Sequence, residues 1–265
     1  MMKASALWPA GSSRGEAGAS RDIAGIAVTD RSGVAVIAAL ADALAAGRTT
    51  RLAFLNAHCV NIARRDAAYK RALERFLVIP DGIGVDTAAR MIYGKPFTEN
   101  LNGTDFLPRL LASLDGRLRV ALIGGAPGVA ERAATRLAVE IPAHDYLVVS
   151  DGFFDRKACA GVLDHLALAK ADIVLVAMGV PAQELFIADH LGERYGRLFV
   201  GVGALFDFLA GNVARAPLAI RRLRMEWAWR LALEPGRMWR RYILGNPLFL
   251  FGILRDRLRR ERDDV

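Results

Sequence analysis

Short apolar runs alternate with amphipathic segments along most of this chain of 265 residues. The apolar runs are rich in β-branched side chains and often end at glycine or Asp-Gly, which is typical of buried strands. Segments with apolar residues every three or four positions are typical of helices. The predicted strands are Arg51–Leu55, Phe76–Ile79, Arg119–Ile123, Tyr146–Ser150, Ile173–Met178 and Leu198–Val202.

Predicted helices lie between these strands. They are Val34–Ala46, Val60–Arg75, Gly84–Tyr93, Asp105–Leu114, Val129–Glu140, Lys157–Lys170, Gln183–Leu191 and Ala204–Ala210. Because strands that alternate with helices form parallel sheets, we predict an α/β fold with a Rossmann-like, largely parallel sheet flanked by helices. Ligands of such sheets bind beyond the carboxyl ends of the strands, where the backbone of a glycine lets a ligand approach closely.

The two ends of the chain depart from this pattern. Residues 1–20 are rich in Ala, Gly and Ser and lack the apolar region of a signal peptide, so we interpret them as a disordered leader. The alternation stops after Gly211. We therefore expect an α/β domain over residues 21–214 and a basic helical C-terminal appendage over residues 215–265. The predicted helices of the appendage are Leu218–Leu233 and Pro235–Leu244.

The appendage carries nearly all of the net charge. Thirteen arginines, no lysines and six acidic residues give it a net charge of +7, against +8 for the whole chain. Three of the four tryptophans fall in the same stretch. Arginine binds phosphate bidentately and indole tolerates a boundary between water and apolar matter. The surface therefore suits anionic lipid, lipid diphosphate or nucleic acid. The apolar run Pro247–Leu254 suits a membrane interface but is far shorter than the ~20 residues that span a bilayer.

Metal and nucleotide signatures of the common kinds are missing. The two cysteines form no CxxC pair and the four histidines show no ligand spacing. No DxD, no Walker A loop and no GxGxxG fingerprint occurs. We therefore expect neither a metal ion nor a cofactor.

Polar residues follow the carboxyl ends of two neighbouring predicted strands. Asp81, between Pro80 and Gly82, suits a general base, although an N-cap of the next helix fits the local sequence equally well. Asn56 follows the preceding strand and is expected to contact the same cleft. His58 beside it is more typical of a core or capping histidine than of a catalyst.

Three further patterns suggest ligand contacts. The turn at Gly124 and Gly125 would cradle a diphosphate with its amides, or is a plain turn between strand and helix. Gln183 is a neutral donor and acceptor of the kind that binds sugar hydroxyls, or else a capping residue. The arginines of the tail, spaced by seven and three positions, would lie on one side if the helix continues through Pro235, or else form a solvated basic face. They are Arg230, Arg237 and Arg240.

The order and spacing of these motifs resemble the WecG/TagA/CpsF family of bacterial glycosyltransferases over roughly Ile23 to Leu250. The motifs of the α/β part that carry the resemblance are Asn56, Pro80-Asp81-Gly82-Ile83-Gly84, Asn102-Gly103-Thr104-Asp105, Gly124-Gly125-Ala126-Pro127-Gly128, Gly179-Val180-Pro181-Ala182-Gln183-Glu184 and Gly201-Val202-Gly203-Ala204-Leu205-Phe206-Asp207. Those of the tail are Arg215-Ala216-Pro217, Glu226-Trp227, Arg230, Glu234-Pro235 and Arg237.

The resemblance implies an activity, its partners and a location. Such enzymes transfer a sugar, with inversion and without a metal, from a UDP-sugar donor to an undecaprenyl-diphosphate-linked sugar acceptor. They work as peripheral proteins at the cytoplasmic face of the bacterial inner membrane, where the basic appendage contacts anionic lipid and closes the site. No nucleic acid is expected as a partner, and self-association into a homo-oligomer stays open.

The resemblance also implies residue roles. Asp81 would be the general base and Asn56 would line the pocket, so these two form the predicted catalytic set. Gln183 would contact the substrate and Asp207 would lie near the uracil. The full set predicted to bind substrate or UDP is Asn102, Gly103, Asp105, Gly124, Gly125, Gly179, Gln183, Gly203, Asp207, Arg230, Arg237 and Arg240.

Two positions depart from the common family pattern. Phe54 stands where many members have Thr, and Asn100 stands where many have Arg. Together with nearby variants they look closer to the GumM-like exopolysaccharide members, so we expect transfer of a hexose, with glucose favoured. Transfer of N-acetylmannosamine or N-acetylmannosaminuronic acid within the same family is the alternative. A nucleic-acid-binding module that uses the arginine-rich tail is the alternative of another class.

Overall fold

The computed structural model describes residues 20–223 and 225–263, which form a parallel sheet between two layers of helices, a small hairpin and a helical C-terminal segment. The leader predicted for residues 1–20 falls almost entirely outside the described residues. The strands are β1 Ser20–Ile23, β2 Ile26–Thr29, β3 Thr50–Leu55, β4 Leu77–Pro80, β5 Arg119–Gly124, β6 Asp145–Ser150, β7 Ile173–Ala177 and β8 Leu198–Gly201.

The helices alternate with the strands as far as β8 and then follow one another. They are α1 Gly33–Ala45, α2 Ala57–Ala63, α3 Ala67–Leu73, α4 Ile83–Tyr93, α5 Gly103–Ala112, α6 Val129–Glu140, α7 Ala160–Ala169, α8 Ala182–His190, α9 Leu205–Leu209, α10 Leu218–Arg222, α11 Glu226–Leu233, α12 Pro235–Trp239 and α13 Gly245–Asp263. A π-helical turn, Arg240–Leu244, joins α12 to α13.

Strands β3 to β8 form a six-stranded sheet in the order β4-β3-β8-β7-β5-β6, with every pair parallel. The central strands are buried on both faces, and β7 shows the expected alternation. Val174 and Val176 pack with one helical layer, whereas Ile173 and Leu175 pack with the other. This confirms the predicted α/β class with its largely parallel sheet.

The chain leaves β3 and β8, which are neighbours, toward opposite faces of the sheet. Helix α2 after β3 packs in the layer that contains Cys59 and Val60, whereas α9 after β8 packs in the layer that contains Leu205 and Phe206. A crevice therefore opens between the carboxyl ends of these strands, which is where ligands of open parallel sheets bind.

The structure differs from the prediction in one helix and one hairpin. The single helix predicted over Val60–Arg75 is wrong, because the chain breaks between α2 and α3. The side chain of Asp66 accepts a hydrogen bond from the Tyr69 backbone N–H at 2.9 Å and so begins a new helix. The antiparallel hairpin of β1 and β2 was not predicted.

The C-terminal segment differs from the prediction in two places. The single helix predicted over Leu218–Leu233 is wrong, because the chain forms two helices there, α10 and α11. Beyond Leu244, in contrast, the chain is more regular than predicted. The apolar run Pro247–Leu254 lies inside α13, a helix of 19 residues that packs against α2 and α4. Phe249 and Ile253 are fully buried there. An ion pair of 2.6 Å between Asp256 and Arg64, the residue that ends α2, stabilises the same contact. Within the described part of the chain, no helix combines the length and apolar character needed to cross a membrane.

Candidate active site

A cleft of about 1220 Å³ opens at the carboxyl ends of β3, β4, β7 and β8. Asn56, Asp81, Gly179 and Gly203 enter it from the four loops that follow these strands. The C-terminal segment forms the opposite wall, from Arg215 onward. The cleft therefore lies between the α/β sheet and the basic tail.

Asp81 and Asn56 come together at the floor of the cleft. The Asp81 backbone N–H donates to the Leu55 carbonyl at 2.8 Å, which ties the loop after β4 to the end of β3. Asn56 caps α2, since its side-chain oxygen accepts from the Cys59 N–H at 3.2 Å. The Asn56 amide nitrogen is thereby left to face the Asp81 carboxylate, at 3.4 Å from Oδ2.

Asn100 holds the loop that carries Asp81. Its side chain accepts from the Gly82 N–H at 2.8 Å and donates to the Gly82 carbonyl at 2.9 Å. Gly82 has φ +84°, a conformation that favours glycine. An arginine at position 100 would offer donors only, so it would not form this two-way pairing.

Burial and nearby arginines set the protonation of the cleft floor. Burial raises the pKa of Asp81, and the Asn56 hydrogen bond and the charges of Arg241 and Arg230 oppose this rise. The pKa of His58 is lowered to about 4 by burial and by Arg241. His58 is therefore uncharged at neutral pH. The raised pKa of Asp81 is shared by Glu226 of the tail, which also lines the cleft and whose pKa is raised chiefly by burial.

Gln183 and Glu184 form a buried polar pair beside the loop after β8. The Gly203 N–H donates to Gln183 Oε1 at 3.0 Å, and Gln183 Nε2 donates to Glu184 Oε1 at 2.8 Å. A Cβ at Gly201 would lie 2.8 Å from Gln183 Nε2, so this close packing needs glycine. Burial raises the pKa of Glu184 to about 7. The sequence suggested for Glu184 only a favourable charge near the start of a helix.

Asn102 and Asp105 connect α5 to the tail. Asn102 caps α5 by accepting from the Thr104 N–H at 2.9 Å, and its amide nitrogen donates to Glu226 Oε2 at 3.1 Å. Asp105 forms ion pairs with Arg215 and, at 3.6 Å, with Arg221. These two residues line the cleft, as predicted for substrate contacts, but their side chains are engaged by the C-terminal segment.

The other predicted binding residues divide into two groups. Gly103, Gly179, Gln183, Gly203, Asp207, Arg230 and Arg240 line the cleft. Gly124 and Gly125 do not. The Gly125 N–H donates to the Ala177 carbonyl at 2.8 Å, and a Cβ on Gly124 would collide with that carbonyl. The close approach of the chain at the end of β5 to the end of β7 thus explains why glycine stands at these positions. Their predicted binding of a diphosphate stays a prediction that the geometry does not support.

The arginines of the tail differ in their surroundings. Arg230 stacks over Phe208 at 5.3 Å, and its Nε and one terminal nitrogen are buried without a hydrogen-bond partner. Arg240 is exposed and stacks over Trp239 at 5.4 Å. The side chain of Arg237 lies outside what the structure describes. Arg241, which the sequence did not single out, also lines the cleft.

A metal site is not evident among the described residues, because no three His, Cys, Asp or Glu side chains lie close enough together there to hold an ion. Metal independence nevertheless stays a prediction.

Comparison with known proteins identifies the family. A family model described as "Glycosyl transferase WecG/TagA/CpsF family" matches residues 21–263. A relative from Bacillus spizizenii (strain ATCC 23059 / NRRL B-14472 / W23) is 36% identical over 184 residues, which cover 67% of this chain and 68% of the relative. A relative from Bacillus subtilis (strain 168) is 32% identical over 180 residues, which cover 68% of both chains. Both carry the description N-acetylglucosaminyldiphosphoundecaprenol N-acetyl-beta-D-mannosaminyltransferase. The match across the sheet, the cleft and the tail shows that this chain belongs to the WecG/TagA/CpsF family of glycosyltransferases.

Proposed function

We propose that this glycosyltransferase moves N-acetylmannosamine from UDP to a sugar carried on undecaprenyl diphosphate. The observation that carries the proposal is the cleft itself, in which the Asp81 carboxylate faces arginine side chains of the tail. A carboxylate of raised proton affinity suits removal of a proton from an attacking hydroxyl. Cationic groups opposite it suit the negative charge of a departing diphosphate.

The reaction we propose is a single displacement. Asp81 takes the proton of the acceptor hydroxyl while the hydroxyl oxygen bonds to the anomeric carbon of the donor. The bond from that carbon to the UDP oxygen breaks, and the electron pair leaves with UDP. Attack from the opposite side of the sugar inverts the anomeric centre. Asn56 orients the base, and the arginines stabilise the diphosphate without a metal.

The identity of the transferred sugar is supported by the relatives. Both are described as transferring N-acetylmannosamine, which favours that alternative over the hexose expected from the sequence. The hexose expectation depended on Phe54 and Asn100. Asn100 has a structural task at Gly82, and the Phe54 ring packs edge-on against Phe106 with centroids 6.2 Å apart.

Hexose transfer stays as the second candidate for one reason. Phe54 lines the cleft, so an aromatic ring stands there where many family members offer a hydroxyl.

Membrane attachment belongs to the same proposal. The tail is strongly basic, and several of its apolar side chains are exposed, including Ile243, Leu244 and Phe251. Such a surface suits a peripheral protein at the anionic cytoplasmic face of the inner membrane, where the lipid acceptor resides.

A donor panel tests the proposed function. Purified protein is given a GlcNAc-diphosphate-lipid acceptor with UDP-N-acetylmannosamine, UDP-N-acetylmannosaminuronic acid, UDP-N-acetylglucosamine or UDP-glucose, with EDTA and with magnesium. We expect transfer chiefly from UDP-N-acetylmannosamine and equal rates under both metal conditions. Dominant transfer from UDP-glucose would replace the proposed donor by the second candidate. Stabilisation by an oligonucleotide but not by UDP in a thermal-shift assay would contradict the enzymatic proposal altogether.

A further inference from the structure

The tail brings a carboxylate into the cleft as well as arginines. Glu226 lies in the first turn of α11 and lines the cleft together with Trp227. Its Oε2 accepts a hydrogen bond from the Asn102 amide nitrogen at 3.1 Å. The proposed reaction uses one carboxylate as the base and arginines for the diphosphate, so it gives Glu226 no part. A negative charge there would repel a diphosphate, so its presence needs another explanation.

The protein uses only one of the two carboxylate oxygens of Glu226. Among the residues that the structure describes, the bond from Asn102 is its single side-chain hydrogen bond, and it forms no ion pair. The nearby Arg215 and Arg221 pair with Asp105 instead. Oε1 of Glu226 is not fully buried and is therefore open to a ligand in the cleft. A carboxylate oxygen only accepts hydrogen bonds, so the group that suits it is a donor such as a hydroxyl.

Glu226 is also close enough to Asp81 for the two carboxyl groups to influence each other. Burial raises the pKa of Glu226, and the charges of Asp105 and Asp81 raise it further, against the opposing charges of Arg215 and Arg221. A partly desolvated carboxylate forms stronger hydrogen bonds than one in water. A substrate group that meets Asp81 therefore has a second, unused acceptor in its neighbourhood.

Aromatic side chains lie beside this carboxylate on the same wall of the cleft. Trp227 follows Glu226 in α11, and its ring lies 6.0 Å from the Tyr242 ring of the π-helical turn. Both rings are half-buried and line the cleft. A sugar has an apolar face of C–H groups and a rim of hydroxyls. Aromatic rings next to a carboxylate and an amide suit both parts of such a ligand.

We propose that Glu226 is a specificity-determining residue that accepts a hydrogen bond from a hydroxyl of the acceptor sugar, with Trp227 against the sugar ring. The inference rests on the proposed function, which brings the attacking hydroxyl to Asp81. Another hydroxyl of the same ring then reaches the neighbouring carboxylate, which Asn102 holds in place through Oε2. The acceptor is favoured over the donor because Glu226 belongs to the tail, which the proposed function turns toward the lipid-linked substrate.

The test combines substitutions in the full chain with substrates that lack one hydroxyl. Short-chain GlcNAc-diphosphate-prenyl acceptors, and UDP-sugar donors, are each deoxygenated at one position of the sugar at a time. Glu226→Ala removes the carboxylate, whereas Glu226→Gln keeps an acceptor for Asn102 and so keeps the tail in contact with α5. Glu131→Gln is the matched control, because Glu131 also lies in the first turn of a helix, α6, but is exposed and does not line the cleft. Thermal melting establishes that every variant is folded.

Steady-state transfer gives the kcat/KM of each acceptor. We expect the wild-type protein to lose roughly 10- to 100-fold in kcat/KM with the one analogue that lacks the hydroxyl bound by Glu226, because a hydrogen bond to a charged group is lost. Glu226→Ala should lose about as much with the parent acceptor and should no longer distinguish it from that analogue. Glu226→Gln should lie between the two, and Glu131→Gln should behave as wild type. The KM of the donor should stay within a few-fold in every variant.

Two results would overturn the inference. If Glu226→Ala distinguishes the acceptor analogues as well as wild type does, Glu226 only holds the tail against α5. If it loses discrimination among the deoxygenated donors instead, the carboxylate serves the donor sugar. Wild-type protein that transfers no sugar to the parent acceptor would contradict the proposed function itself. In that case calorimetric binding of the same acceptors to wild type and Glu226→Ala still decides whether Glu226 recognises a hydroxyl.

Discussion

At the scale of single residues, the position and the pKa of Asp81 are both set by its neighbours. Its loop is held by backbone bonding to Leu55 and by the two-way pairing of Asn100 with Gly82. Burial raises its pKa, while Asn56 and two arginines keep the carboxylate form accessible. The raised pKa makes this carboxylate a stronger base toward the hydroxyl of an acceptor than a solvent-exposed aspartate would be.

Replacing Asp81 by Asn should separate catalysis from binding. We expect Asp81→Asn to lower turnover by roughly 10²- to 10⁴-fold, since the amide cannot accept the proton. UDP affinity should stay within a few-fold of wild type, because the arginines that face the diphosphate are unchanged. Turnover under saturating substrates and calorimetric UDP titration are the measurements. Near-normal turnover would remove Asp81 from the role of base.

Glu184, beside the cleft, should make the free energy of unfolding depend on pH. Its pKa is raised from 4.5 to about 7 by burial, so the folded protein holds this proton more tightly than the unfolded chain does. The protonated Glu184 side chain therefore contributes its full stability to the fold below the pKa of the unfolded chain, and this contribution is lost as the pH rises through about 7. Glu184→Gln should therefore be more stable relative to wild type at pH 8 than at pH 5, by on the order of 2–3 kcal/mol.

Urea unfolding at the two pH values measures this difference. Glu74→Gln, which changes an exposed residue, is the matched control and should show no such dependence. Glu184→Gln still offers an acceptor to Gln183 Nε2, so transfer at neutral pH should persist. A stability difference that does not change with pH would show that Glu184 titrates normally in the fold.

Among the elements, α13 has two apolar faces with different surroundings. Phe249 and Ile253 are buried on the side of α13 that packs against α2 and α4, whereas Phe251, Leu254 and Leu258 are exposed. A helix that needs only one apolar face for packing has the other free for a second apolar environment. The lipid interface is the environment that the proposed function provides.

Phe251→Asp should weaken membrane attachment without disturbing the cleft. Phe251 is 67% exposed, so the charge is tolerated in the folded protein but is unfavourable in an apolar interface. We expect less protein to float with anionic vesicles, and unchanged transfer to a short-chain acceptor in solution. Val139→Asp on α6, at a position 72% exposed, is the control. Equal flotation of both variants and wild type would place the membrane contact on another surface.

For the whole molecule, the tail is both a wall of the cleft and a packed part of the fold. Asp105 is paired with Arg215 and Arg221, and Arg64 is paired with Asp256. The same segment carries a net charge of +7. The segment therefore contributes to the fold and to the cleft wall, and under the proposed function it also attracts anionic lipid, by on the order of 1 kcal/mol per well-placed basic residue.

Removal of residues 215–265 should abolish vesicle binding and sugar transfer together. UDP binding to the remaining α/β domain should persist in weakened form, because Asp81, Gln183 and Gly203 remain while the arginines of the tail are lost. Flotation at low and high salt checks the electrostatic part, which screening should reduce for the full chain. If truncated and full-length proteins float equally well, the tail is not the membrane contact.

Much of the architecture could be predicted because strands that are buried on both faces are visible in the sequence as short, continuous apolar runs. All six predicted strands are found within a few residues of their expected bounds. The glycines that follow β4, β7 and β8 line the cleft, whereas Gly124 and Gly125 at the end of β5 do not. Asn56 and Asp81 could be predicted as neighbours because parallel strands end at one edge. Helix bounds were less accurate where capping competed with periodicity, as at Asp66.

The sequence by itself determined the parallel α/β class, the family, the basic tail and the Asp81–Asn56 pair, because each depends on residue order or on contacts at strand ends. Only the tertiary structure decided that Gly124 serves packing, that Asp105 holds the tail, that burial perturbs Glu184, and that Arg241 also lines the cleft. These outcomes depend on desolvation and on contacts between residues distant in the chain. Spacing along one element carries no information about either.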